Sequence, residues 1–481
     1  MRLSEVTLAQ LPATVRRPGY DRSATTPGIV HLGVGAFHRA HQAAYMEECL
    51  AAGERGWAIL GASLRRGDTR DALEPQDGLY TLAIRSGETE RLDVIGSITR
   101  LVVAPEDPEA LVTAMADPAV RIVTLTVTEK AYLRNAEGGL DAAHPEIAAD
   151  LADSARPRTL HGFIVEALAR RRAAGVAPFT VLSCDNLPNN GRTTRRVIAA
   201  FARLRDADLG RFVEEEVAFP SSMVDRIVPA TTDADRSRVA ATLGMDDAWP
   251  VMTEPFMQWV VEDHFPAGRP DWERFGVTMV ADVTPYEEMK LRLLNGTHSS
   301  IAYLGQLLGR ETVAEAFADP AIRRFVEVLW EDFIVTLPAD AGLDTSDYTA
   351  RLAERYANTA LRHRTAQIAN DGSQKLPQRI VAATLERMER GLPVDRSAFV
   401  LAAWITALQA RGTPPAFTDP LDSALTPILS AGGPEEATVA AVFKAAGLAA
   451  GSSHREELIE ATARALAAIR RDGVAAALAG L

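Results

Sequence analysis

A chain of 481 residues is too long for one ordinary core, so two large domains are expected. An apolar share of 47% beside 24% charged residues is that of a globular protein, not a disordered one. The net charge of −13 argues against a nucleic-acid partner, and the two cysteines, Cys49 and Cys184, supply neither a disulfide framework nor a metal cluster.

The opening Met-Arg-Leu-Ser-Glu-Val lacks the apolar run of a secretion signal. No stretch approaches the ~20 apolar residues of a membrane span. A cytoplasmic protein, monomeric or a small homo-oligomer, is therefore expected, with a small molecule as its partner.

Gly28-Ile-Val-His-Leu-Gly33-Val-Gly35-Ala-Phe37-His38-Arg-Ala-His-Gln42 reads as a strand, a glycine turn and a helix start. It is half of a dinucleotide fingerprint: Gly33 makes the tight turn and Gly35 lets the backbone approach a pyrophosphate. His38 replaces the third glycine, and an ordinary Gly-x-Gly loop fits these residues equally well. A helix over Ala43–Ala52 and a buried strand over Trp57–Ser63 follow. Asp68, just beyond, stands where a carboxylate would bond a ribose hydroxyl and favour NAD, whereas Arg65 and Arg66 would accept the extra phosphate of NADP.

Tyr80–Arg85 and Arg91–Gly96 alternate as an inserted antiparallel pair. Val120–Thr128 and Val181–Ser183 read as central strands. The second runs into Cys184-Asp-Asn186-Leu-Pro-Asn-Asn-Gly191, either a ligand-facing corner or an Asx-rich turn before a helix near Arg192. Ser221–Arg226, with Asp225, forms a second polar corner. A last strand near Val277 closes an α/β domain over 1–280, and helical patterning dominates 281–481.

The helical domain opens with Pro285-Tyr-Glu-Glu-Met-Lys-Leu-Arg-Leu-Leu-Asn-Gly-Thr-His298. At about 100° per residue, Glu287, Lys290, Asn295 and His298 fall within an arc of about 140°, with Met289 opposite. A carboxylate, an amine, an amide and an imidazole on one face suit proton transfer at a carbinol, provided the lysine pKa lies well below about 10.4. A solvated face with a half-buried histidine is the plainer alternative. Tyr286-x-x-x-Lys290 also fits the short-chain dehydrogenase pair, but it lies too far beyond the glycines.

Together these strings resemble the polyol-specific long-chain dehydrogenases, the family of mannitol 2-dehydrogenase and fructuronate reductase. The resemblance runs from about Pro27 to the C-terminus and rests on Gly33–Gln42, Thr126–Lys130, Ser183–Leu187, Met223–Arg226, Lys290, Asn295 and His298. It implies a Rossmann-type NAD domain with inserted antiparallel strands, followed by a mainly helical catalytic domain. Gly33, Gly35, Phe37, His38 and Asp68 would bind the cofactor, NAD or alternatively NADP, with no metal. Lys290 would be the general acid/base, Asn186 and Asn295 oxyanion donors, His298 a substrate-orienting group, and Glu287 part of the proton route. Asp225 would bind substrate hydroxyls.

Lys130 and the string Leu361–Arg379 resemble the fructuronate reductase branch, although Ala131 departs from it. Gln367 stands where mannitol dehydrogenases carry a substrate-binding arginine. This branch implies reduction of D-fructuronate to D-mannonate, with Arg364 or Lys375 taking the carboxylate. The alternatives are a mannitol 2-dehydrogenase acting on fructose and mannitol, a tagaturonate reductase, or another polyol dehydrogenase.

Overall fold

The β-branched runs of the first half form strands, and the alanine-, leucine- and arginine-rich second half forms helices. The computed structural model describes residues 1–481 and divides into two units, Met1–Thr284 and Pro285–Leu481.

In the first unit β1 (Pro27–Leu32) runs through the glycine turn into helices α1 (Ala36–Ala40) and α2 (Gln42–Ala51). Strand β2 (Ala58–Ser63) and helix α3 (Asp68–Leu73) follow. Next come β3 (Tyr80–Ser86), β4 (Thr89–Ile95), β5 (Ile98–Val103), β6 (Ile122–Leu125) and β7 (Thr180–Ser183). The main sheet is parallel, in the order β5-β2-β1-β6-β7. The chain builds outward from β1 through β2 to β5, then returns to β6 on the other side. That reversal opens a crevice at the carboxyl ends of β1 and β6, where ligands bind in such sheets.

Both faces of this sheet are covered, which explains the near-continuous apolar strands. Val30, Leu32, Val123 and Leu125 pack against Phe163, Ile164 and Leu168 of helix Leu160–Ala173 and Phe201 of helix Asn190–Arg205. Ile29, Ile59 and Ile122 face Tyr45 and Met46 of α2, backed by Trp259 and Trp272.

The expected antiparallel pair is β3 with β4, and Ser86 faces Thr89 across the hairpin. Strand β5 is absent from the expected set, because it is the edge strand and its burial is interrupted at Thr99–Leu101. Strands β8 (Ser222–Asp225), β9 (Val251–Thr253), β10 (Gln258–Glu262) and β11 (Thr278–Val280) complete the unit. β9 adds parallel to β3, while β10 lies between antiparallel β8 and parallel β11.

The second unit is built of helices. Asp395–Ala410 is buried almost all round through Phe399, Leu401, Trp404 and Leu408, the pattern of a central helix. Helices Thr297–Leu307 and Arg455–Asp472 pack against it. No helix is long and apolar enough to cross a membrane.

Candidate active site

In the first unit the site is built from the ends of five strands, β1, β2, β6, β7 and β8. Gly33 has φ +97°, and a Cβ there would lie 2.2 Å from the Thr126 carbonyl oxygen. Only glycine satisfies both the backbone angle and this approach of β1 to the end of β6. A Cβ on Gly35 would meet nothing but the Gly33 oxygen at 3.9 Å, so this exposed position leaves the backbone open to a pyrophosphate. Phe37 is half-buried and stacks on His41, with ring centroids 5.1 Å apart.

His38 departs from the expectation of a cofactor contact. Its side chain is fully buried and stacked on His31, with centroids 3.4 Å apart and planes 9° apart. His31 Nε2 lies 2.9 Å from Thr126 Oγ1 and 3.1 Å from the Gly33 oxygen, and its Nδ1 lies 2.8 Å from Thr124 Oγ1. Burial holds His31 down at about 3 and His38 well below the ordinary imidazole value, so both rings are neutral. The histidine in place of the third glycine therefore fills the layer beneath the turn.

Asp68 opens α3, just past β2, and is exposed, with Arg66 Nε 3.3 Å from its carboxylate. Arg65 is also exposed. The acidic and basic groups weighed for the cofactor's ribose thus occupy the same strand end.

The ends of β6 and β7 are tied by Asp185, which sequence reasoning missed although it lies inside a quoted string. Its carboxylate accepts the N–H groups of Thr128 at 2.8 Å and Val127 at 3.2 Å, and the Tyr132 hydroxyl at 2.8 Å. Burial raises its pKa, opposed by the Tyr132 hydroxyl bond. Asn186, the next residue, is exposed at the strand end. Asn190 donates to the carbonyls of Asp185 and Ser222 at 3.0 and 2.7 Å and accepts the Ser222 N–H at 2.9 Å. It thereby fastens the Asn186 corner to β8, whose last residue is the buried Asp225.

In the second unit the polar helix is not continuously α. Thr284–Met289 is α-helical, Lys290–Gly296 is a π-helix and Thr297–Leu307 is α-helical again. Hydrogen bonding five residues apart widens the turn and carries Asn295 back toward the side occupied by Lys290. The apolar side of this helix is carried by Met289 and the fully buried Leu293, whereas Leu291 is only partly buried.

The carbonyls freed by the wide turn are satisfied by side chains. Leu293 O accepts the Trp330 indole N–H at 3.0 Å and the Thr297 hydroxyl, while Leu294 O accepts the Tyr356 hydroxyl at 3.0 Å. A second π-turn, Pro377–Val381, starts at a proline that has no N–H to donate. The two turns meet at Gly296, where a Cβ would lie 2.8 Å from the Arg379 carbonyl oxygen and 3.2 Å from the Phe333 ring.

Glu287, Lys290 and Asn295 are half-buried on this helix, and His298 is buried. Burial drives the His298 pKa well below its ordinary value, helped by His363, Arg379, Arg355 and Lys375. Its Nε2 has no hydrogen-bond partner within the protein.

Arg364 is exposed and Gln367 is exposed. Lys375 donates to the Asn370 carbonyl at 2.7 Å and lies 3.6 Å from the Asp371 carboxylate. Its pKa is lowered by burial first and by Arg379 next.

Residues 27–274 match the family described as mannitol dehydrogenase Rossmann domain, and residues 282–470 match the mannitol dehydrogenase C-terminal domain. The chain is 41% identical over 492 aligned residues to a mannitol 2-dehydrogenase of Aspergillus terreus, covering 98% of each. It is 45% identical to that of Cereibacter sphaeroides, over 81% of this chain and 83% of the relative. Among solved structures, the Pseudomonas fluorescens mannitol 2-dehydrogenase ternary complex with NAD and D-mannitol superposes with TM-score 0.86 at 39% identity, covering 99% of both chains. A D-sorbitol dehydrogenase in substrate-free form gives 0.88 at 35%, covering 99% of this chain and 100% of the other.

The fructuronate reductase branch inferred from Lys130 and Leu361–Arg379 is thereby corrected. Relatives matching nearly the whole chain are named mannitol 2-dehydrogenase, so those strings do not mark the fructuronate reductase branch. A secondary-alcohol oxidoreductase, the chain belongs to the mannitol dehydrogenase family.

Proposed function

We propose that the protein interconverts D-mannitol and D-fructose with NAD. The reading is carried by 39% identity, across 99% of both chains, to an enzyme solved with NAD and D-mannitol. The open backbone at Gly35 and the clamp of Gly33 on Thr126 fit a dinucleotide's pyrophosphate, and Asp68, at the start of α3, is the group proposed to bond a ribose hydroxyl. Bound NAD supplies the hydride acceptor.

The chain's own residues then handle the proton and the oxygen. Lys290, in its neutral form, takes the proton of the reacting hydroxyl and returns it when the ketone is reduced. Asn186 and Asn295 donate hydrogen bonds to that oxygen as negative charge grows, an effect worth about 3 kcal/mol per donor in comparable sites. Glu287, one turn before Lys290, relays the proton toward solvent. His298 and Asp225 hold the remaining hydroxyls. Arg355, Arg379 and Lys375, whose charges reach His298, favour an anionic oxygen beside it.

The test is NAD reduction with D-mannitol, D-sorbitol, D-arabinitol and D-mannonate. The highest kcat/KM is expected for D-mannitol. Preference for D-mannonate by about tenfold or more, equivalent to roughly 1.4 kcal/mol, would overturn the reading.

A further inference from the structure

His298 has an unassigned neighbour. The His363 ring stands edge-on to it, with centroids 4.9 Å apart and planes at 79°. His298 Nε2 and His363 Nδ1 are both shielded from solvent, and neither has a hydrogen-bond partner within the protein. Two orphaned imidazole nitrogens in adjacent rings are costly unless something polar is brought to them. Burial keeps both rings uncharged, His363 at about 4, so each offers one donor and one acceptor.

The segment that carries His363 is fixed. Arg362 adopts φ +43°, a left-handed conformation that a non-glycine residue takes only when its surroundings impose it. The His363 carbonyl accepts the Val313 N–H at 2.9 Å, and the Thr365 N–H donates to Glu311 O at 2.9 Å. The Thr365 hydroxyl in turn donates to Arg310 O at 2.9 Å. These bonds on both sides set the ring against His298 and give it little freedom to turn away.

We propose that His363 and His298 form a two-imidazole clamp for neighbouring hydroxyls of an open-chain polyol, making His363 a substrate-binding and specificity-determining residue. A hydroxyl both donates and accepts, so the neighbouring hydroxyls of a vicinal diol can partner His298 Nε2 and His363 Nδ1 whichever tautomer each ring takes. It discriminates by configuration, because an epimer directs one hydroxyl away and leaves a nitrogen unpaired. The proposal rests on the polyol reading given above.

The experiment compares His363→Phe, which keeps the ring packing but removes both nitrogens, with His363→Asn, whose amide stands where Nδ1 stood. Steady-state KM and kcat are measured with D-mannitol, D-sorbitol and D-arabinitol, alongside the Kd for NAD. In the Phe variant, KM for D-mannitol should rise about tenfold or more, with kcat and the NAD Kd changing much less, and selectivity among the polyols should shrink. The Asn variant should recover most of the loss. A Phe variant with parental KM and selectivity overturns the clamp, as does an Asn variant no better than Phe. A parent enzyme that oxidises no polyol overturns the functional reading itself and is read from the wild type alone.

Discussion

The Asp185 carboxylate accepts the backbone N–H of Thr128 at 2.8 Å and holds that threonine at φ +72°, a conformation a β-branched residue rarely adopts. One side chain thus locks the ends of two neighbouring strands, immediately before Asn186. Asp185→Asn turns an N–H toward groups that are themselves donors. It should lower stability by about 1–3 kcal/mol and reduce kcat/KM for D-mannitol. Urea unfolding and steady-state kinetics check this, and an unchanged pair of values would remove the locking role.

The two glycines of the turn should fail in different ways. Gly33→Ala forces a Cβ to within 2.2 Å of the Thr126 carbonyl oxygen and should destabilise the fold outright. Gly35→Ala meets no atom of the protein closer than 3.9 Å, so its Tm should stay near the parent's while NAD affinity falls. Differential scanning calorimetry and NAD titration separate the two effects. Equal losses of Tm in both variants would contradict the assignment of separate roles.

Asp68 lies beside Arg66 on an exposed strand end, so its repulsion of an added phosphate should be moderate. Asp68→Ala is expected to raise kcat/KM with NADP while leaving that with NAD lower or unchanged. A parent enzyme that strongly prefers NADP would show that the arginines, not Asp68, govern this end.

Acid should destabilise the protein below the ordinary histidine range. Burial depresses His31 and His161 to about 3 and His363 to about 4, with His38 and His298 also well lowered. A histidine depressed in the folded state contributes stability that is present above the unfolded value, near 6.5, and is lost as pH falls toward the folded one. Glu47 acts oppositely: burial raises it to about 7, so its contribution is fully present below the unfolded value and fades as pH rises toward 7. Five histidines outweigh one glutamate. Unfolding free energy should fall between pH 6.5 and 5, by up to about 1.4 kcal/mol per pH unit for each net proton. Stability that stays flat or rises over that interval would contradict the buried neutral assignment.

Periodicity carried the first unit well where strands were buried on both faces, as in Trp57–Ser63 and Val181–Ser183. It failed at Ile98–Val103, an edge strand whose burial is interrupted at Thr99–Leu101. In the second unit the long amphipathic helices were legible. The π-turn at Lys290–Gly296 was not, because it is set by tertiary partners, Trp330, Tyr356 and the crossing at Gly296, rather than by local propensity. The same limit hid Asp185, whose role depends on strand ends distant in sequence, and the burial of His38 under the turn. The uronate expectation erred differently: it rested on a string, Leu361–Arg379, in which Arg364 and Gln367 are exposed and Lys375 already has backbone carbonyl and carboxylate partners.

The central claim is that Lys290, on the π-turn, transfers the proton in NAD-dependent oxidation of D-mannitol. Its most direct test is kcat for D-mannitol oxidation by Lys290→Ala and by the parent enzyme, with the NAD Kd measured for both. Loss of the amine should lower kcat by about 10²–10⁴-fold or more at nearly constant NAD Kd, with partial recovery on adding primary amines. A Lys290→Ala enzyme turning over within about threefold of the parent, where loss of a general base should cost at least a hundredfold, would contradict it.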